Sequence, residues 1–166
     1  MNITIRAART SDIPGLIALI DPFVEGGNVL RRTYQELGEL LPNFFVAVLE
    51  TSQNGTDGMG EIVGCAALEI YSPKLAEVRS LAVASKIQGQ GIGRRLVSVC
   101  VERARIKNVL EVMAITTSDE FFMKCGFDYS LPGAKRALFV QTRETKDAMH
   151  PTLEQSAPTD TAPRSP

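Results

Sequence analysis

The sequence holds one histidine, His150, among 166 residues. A histidine-centred triad or a histidine-rich metal site would need ligands this chain lacks, so no metal is expected. Cysteine is scarce as well. Cys65, Cys100 and Cys125 are an odd set, each among apolar neighbours. That argues against a disulfide framework and for buried, reduced thiols in a cytoplasmic protein. No apolar run approaches the roughly 20 residues that cross a bilayer. Met1 to Arg6 lacks the charged region and apolar stretch of a secretory signal. The formal net charge is −1, so no overall basic field recruits nucleic acid or a membrane. Two familiar phosphate loops are missing too. No Gly-Lys-Ser or Gly-Lys-Thr closes a P-loop, and no Gly-x-Gly-x-x-Gly follows a first strand.

What is present is 44% hydrophobic and 22% charged, the balance of one globular domain with a core. Its most informative stretch runs from Val78 to Val97. Val78, Leu81 and Val83 form a compact apolar strand. Gln88-Gly89-Gln90-Gly91-Ile92-Gly93 comes next as a turn with glycine at alternate positions. Ile92, Leu96, Val99 and Cys100 then recur at helical spacing, with Arg94 and Arg95 between them. Glycines let a backbone approach a ligand closely. The first amides of a helix lack intrahelical partners, and the dipole favours an anion there. The ligand that fits is a phosphate or pyrophosphate.

Before this stretch, residues 3–8 read as a strand. Thr10 or Ser11 caps a first helix with Ile13, Leu16, Ile17 and Ile20 as its stripe, broken by Asp21-Pro22 and Gly26-Gly27-Asn28. Thr33 caps a second helix that stops before Pro42. Strands are expected over 44–50, 61–71 and 75–84, with a polar loop at 51–60 and a turn at Ser72-Pro73-Lys74. Gly64, Ala66 and Ala67 leave room for close packing. After the long helix come a strand at 109–116, a short helix at 119–124, and closing strands at 127–130 and 136–141. From Thr142 on, proline, serine and threonine dominate. Such a segment buries too little to offset its ordering entropy, so 143–166 is expected to be a disordered tail.

Gln88, Gly91 and Gly93, spaced Gln-x-x-Gly-x-Gly behind the strand, resemble the acyl-CoA pyrophosphate loop of the GNAT superfamily of N-acetyltransferases. Phe121-Phe122-Met123-Lys124-Cys125-Gly126-Phe127 resembles that family's later helix end, and Ile5 to Ile13 its first strand and helix. The resemblance implies an α/β (α+β) fold over residues 1–142. It has a mixed, mostly antiparallel sheet of about six to seven strands, helices on both faces, and a splay between the two central strands. It implies acetyl-CoA as co-substrate. Leu81, Ala82 and Val83 would pair with the pantetheine arm, and the amides from Gln88 through Gly89, Gln90, Gly91, Ile92 and Gly93 to Arg94 would hold the pyrophosphate.

For the proton acceptor, Glu77 stands first and Glu69 second. Glu77 shares strand parity with Arg79, Leu81 and Val83, which sets all four on one face. It acts through a water, or it is an edge carboxylate paired with Arg79. Phe122 occupies the position where many relatives carry a tyrosine as general acid. The thiolate then leaves unaided, or Tyr71, Tyr129 or a water substitutes. Cys125, with no histidine partner, reads as inert.

A narrower resemblance, carried by 6–13, 29–32, 44–47, 62–68 and 76–83, is to the acetyltransferase domain of N-acetylglutamate synthases. It implies a dicarboxylate acceptor, with Arg31, Arg32 and Arg79 as carboxylate clamps. Thr117 and Ser118 stand where many such enzymes have an Arg-Ser or similar polar pair. Thr117 cannot clamp as arginine does, so another small amine stays open. The kinase-like domain of the long synthases is not in this sequence, so arginine feedback through one is not expected. Three readings remain: an amino-acid N-acetyltransferase acting first on L-glutamate; a GNAT acting on a protein N-terminus, lysine or other small amine; and a non-catalytic acetyl-CoA-binding module. The partner expected is a small-molecule amine, with neither nucleic acid nor membrane, and homodimer formation is left open.

Overall fold

The computed structural model describes residues 2–25, 33–50, 60–129 and 140. Arg31 and Arg32, the loop at 51–59, the expected strand at 136–141 (bar Val140) and the tail at 143–166 lie outside the described residues. All the strands and helices among the described residues belong to the unit Met1–Tyr129.

Five strands form one sheet in the order β1-β2-β3-β4-β5. They are β1 (Ile3–Ala7), β2 (Phe44–Leu49), β3 (Glu61–Ser72), β4 (Leu75–Val83) and β5 (Glu111–Met113). The first four pair antiparallel, and β5 runs parallel to β4. Helices cover both faces. Helix α1 (Ile13–Glu25) and helix α2 (Tyr34–Leu40) lie on one, packing Leu16, Ile20 and Leu37 on Val46, Cys65, Ala67 and Ala82. Helix α3 (Ile92–Ile106) lies on the other, packing Leu96, Val97 and Cys100 with Val63, Leu68 and Val78. The small residues of β3 admit α3 closely: a Cβ on Gly64 would stand 3.1 Å from Leu96 Cδ1. A short helix, α4 (Asp119–Met123), comes after β5.

The mixed, mostly antiparallel sheet with two covered faces is the expected architecture, but several boundaries differ. Helix α1 runs through Pro22 to Glu25. Phe23 and Val24 still pack on the α1-side core, and that burial holds the last turn despite the missing amide. Neither Thr10 nor Ser11 caps the chain entering α1. A 3-10 turn over Thr10–Asp12 comes first, and the Asp12 carboxylate accepts the Arg9 amide at 2.7 Å. Thr33 does cap α2: its Oγ1 accepts from the Glu36 amide at 3.2 Å, and Glu36 accepts the Thr33 amide at 2.7 Å. The strand expected at 109–116 is reduced to the three residues of β5, and Phe127 to Tyr129 are not in a strand. Hence five strands, not six or seven, are seen among the described residues.

Strand β4 departs from a regular ladder in two ways. Its pairing with β5 ends at Glu77 opposite Met113. Beyond that point β4 continues to Val83 with no strand on this edge among the described residues. Its register with β3 also jumps, Ala67 facing Arg79 but Cys65 facing Ala82. Ser80 takes φ 52°, the left-handed region, inside this β-bulge.

Candidate active site

The bulge corrects the face assignment of Glu77. Paired residues in a ladder share a face. Glu77 and Arg79 stand opposite Glu69 and Ala67, on the α1 side. One extra residue at Ser80–Leu81 then inverts the alternation, so Ala82 also faces α1 while Leu81 and Val83 pack toward α3. Glu77 therefore does not share a face with Leu81 and Val83; it shares one with Ala82.

Glu77 is 7% exposed, one of two buried charged residues among those described. The Tyr71 hydroxyl donates to Glu77 Oε2. Desolvation, reinforced by that carboxylate, pushes the Tyr71 hydroxyl up to about 12, so it remains a donor at neutral pH. Arg79 does not bond Glu77 directly: its Nε lies 3.9 Å from Oε2, while its NH1 is bound to Glu69 Oε2. The Glu69 contact is the main reason the guanidinium pKa is raised. So Glu77 is a buried carboxylate oriented by the Tyr71 phenol, and its expected pairing with Arg79 is present as an ion pair at 3.9 Å. Arg79, expected to clamp substrate, is engaged by Glu69. The hydroxyl of Tyr71 is the feature that strand parity alone does not connect to Glu77.

The glycine-rich turn begins beyond Val83, where a 3-10 turn (Ser85–Ile87) leads to Gln88. The Gln88 amide side chain donates to the Val83 carbonyl at 2.9 Å, tying the turn to the strand. Gly89 and Gly91 both take φ 78°, and a Cβ on either would meet nothing within 4 Å. Gly91 caps α3. The turn thus presents backbone to open space at a helix N-terminus, a cradle that fits a pyrophosphate. Gly93 does different work: a Cβ there would lie 3.3 Å from Phe121 Cζ and 3.6 Å from Val83 Cγ2. Ile92 is buried under the turn, and Arg94 is exposed on the first turn of α3. Arg95, by contrast, donates to the Ile3 carbonyl at 3.1 Å and braces β1.

Phe122 is 8% exposed and edge-on to Phe121 and Phe127, at centroid distances of 5.2 and 5.3 Å. It is core, with no hydroxyl to offer. Tyr129 is bound to Asp119 instead of Glu77. Thr117 and Ser118 are exposed, Ser118 standing at the N-cap of α4, and no contact joins them to the Glu77 cluster. Burial raises the thiol pKa of all three cysteines, Cys65 and Cys100 to about 12, which suits inert thiols.

A separate cavity of about 990 Å³ opens between α1 and the far end of β4, lined by Arg6, Arg9, Ser11, Gly60, Ser85 and others. The end of β4 at Val83 lies six residues beyond Glu77, roughly 20 Å along the strand, and Ser85 lies past it, so this cavity is not the Glu77 site. Among the described residues no cluster could hold a metal ion, and no helix is long and apolar enough to cross a membrane.

Such a sheet, broken on one edge of β4 and continued by a glycine cradle at a helix start, defines an acyl-CoA-dependent acetyltransferase. Residues 42–129 match the Acetyltransferase (GNAT) domain family, and the chain belongs to it. It is 34% identical over 123 residues to an amino-acid acetyltransferase of Mycobacterium tuberculosis, covering 74% of this chain and 67% of the relative. It is 32% identical over 123 residues to an uncharacterized N-acetyltransferase of Chlorobaculum tepidum, covering 74% of each. Among solved structures, N-acetylglutamate synthase from Neisseria gonorrhoeae, complexed with coenzyme A and N-acetyl-glutamate, superposes with TM-score 0.65 at 29% identity. The match covers 75% of this chain and 28% of that one. The protein is an N-acetyltransferase that uses acetyl-CoA, and relatives of the amino-acid-acetylating kind are among its matches.

Proposed function

We propose that this enzyme acetylates the amino group of a free amino acid, L-glutamate first, by direct attack in a ternary complex. The observation that carries the reading is the buried Glu77, held by Tyr71 at the point where β4 and β5 part. Acetyl-CoA supplies the activated acyl group. The amides from Gln88 to Arg94 hold its pyrophosphate, and the edge of β4 turned away from β3 at Leu81, Ala82 and Val83, which carries no strand among the described residues, receives its arm like an added strand. Glu77 takes the ammonium proton, through a water, and leaves a neutral amine to attack. With Phe122 in the core, the leaving thiolate takes its proton from solvent. Similarity to amino-acid acetyltransferases and to N-acetylglutamate synthase supports the choice of acceptor. A place in arginine biosynthesis, a cytoplasmic location and a small-molecule partner belong to the same reading.

One observation favours a second acceptor class. The Glu77 cluster holds two carboxylates and one guanidinium, and that guanidinium is engaged. Such a site suits a small amine with no second carboxylate. Thiol release from acetyl-CoA across a panel of amino acids, amines and N-terminal peptides separates the two. Turnover of glutamate above the rest is expected. Glu77→Gln should lower kcat for the preferred acceptor by about 10²- to 10⁴-fold with acetyl-CoA affinity intact. Parental turnover by that variant would remove Glu77 from the mechanism.

A further inference from the structure

Glu69 and Glu77 stand directly opposite each other in the β3–β4 ladder. Opposed like charges repel. Arg79, next along β4 on the same face, lies between them, with NH1 on Glu69 Oε2 and Nε 3.9 Å from Glu77 Oε2. The Tyr71 hydroxyl fills a further approach to Glu77 Oε2. The Arg79 and Glu69 side chains are 35% and 34% exposed. This pair thus faces solvent, while Glu77 beside it is buried. The guanidinium is therefore held by an internal carboxylate of the same chemistry as the carboxylate of an amino-acid acceptor. The two must compete for one fork of donors.

We propose that Glu69 is a specificity-determining residue, an internal competitor that occupies Arg79 and restrains the enzyme's preference for acidic acceptors. The inference rests on the reading of the Glu77 cluster as the acceptor site. When a binding group is free only part of the time, apparent affinity falls by that fraction. An ion pair exposed by about a third is weak, so the fraction is modest, and removing the competitor should raise affinity about three- to tenfold.

The test compares kcat/KM for glutamate and for glutamine in the parent, Glu69→Gln, Arg79→Gln and the double variant. Glu69→Gln is expected to raise the glutamate-to-glutamine ratio about three- to tenfold through KM, with the acetyl-CoA KM unchanged. The gain should vanish when Arg79 is also replaced, which a merely structural role for Glu69 would not produce. A ratio unchanged in Glu69→Gln, or raised equally without Arg79, overturns the inference while leaving amino-acid acetylation standing. If the parent turns over neither amino acid, the acceptor reading falls and this inference with it.

Discussion

At the scale of single residues, buried charge is where the chain is least tolerant. Asp12 is 6% exposed, and Arg6 grips it twice, at 2.6 and 2.9 Å, while the Arg9 amide adds a third bond. The Arg6 bonds are the main cause of its lowered carboxyl pKa. A depressed carboxyl contributes stability that is fully present above the ordinary value near 4 and is lost as pH falls through the folded one. Asp12→Asn should therefore cost about 1.5–3 kcal/mol at neutral pH. The gap from the parent should narrow below about pH 4, where the parent loses its advantage. Urea unfolding at both pH values checks the size and the sign. Tyr71 makes a kinetic case. Tyr71→Phe removes the donor that fixes Glu77, and kcat should fall about tenfold with unchanged acetyl-CoA KM. Parental kcat in that variant would reduce the phenol to packing.

At the scale of elements, the glycine turn and the bulge differ in how far the sequence discloses them. The turn is legible because its function demands residue types. Gly89 and Gly91 take positive φ, which glycine alone adopts without strain. The bulge is not legible, because Ser80 enters the left-handed region with an ordinary side chain, held by pairing on either side and by Cys65 Sγ donating to its carbonyl at 3.3 Å. Alternation read straight through Ser80 puts Glu77 with Leu81, and the extra residue reverses that. The Tyr71–Glu77 and Glu69–Arg79 contacts are hidden for a related reason: they depend on register between β3 and β4, which a two-residue period does not fix. Pro22 misleads because neighbouring burial, not the residue itself, decides whether a helix carries through it. The turn carries a prediction of its own. Gly91→Val places branched carbons in the open cradle at φ 78°. Acetyl-CoA affinity should drop at least tenfold, at a stability cost of about 1–2 kcal/mol. Calorimetry showing parental affinity would dissociate the turn from the cofactor.

At the scale of the whole molecule, the two cores hold the sheet from opposite faces, and one edge of β4 past Glu77 carries no strand among the described residues. Helix α3 fixes β3 and β4 through Leu96 and Val97, and α1 fixes them through Leu16 and Ile20. The backbone of β4 past Glu77 has β3 on one side only among the described residues. Unpaired strand backbone is a ready partner for an extended ligand. If the pantetheine arm lies along it, binding should be read as protection from amide hydrogen exchange. The gain should centre on peptides covering Leu81 to Val83 and Gln88 to Arg94. Peptides from α1, which faces the other side of the sheet's middle, should change little. A ligand at about 100 times its Kd also adds roughly 2.7 kcal/mol to global stability, which would slow every exchange that requires unfolding. The diagnostic is therefore the excess protection at the two β4-side segments over that uniform gain. With CoA lacking the acetyl group the same excess is expected, since pyrophosphate and arm are unchanged. With pyrophosphate alone it should shrink to residues 88–94. Uniform protection with no excess at Leu81 to Val83 would mean that the arm takes another path, and that the break between β4 and β5 serves something other than acetyl-CoA.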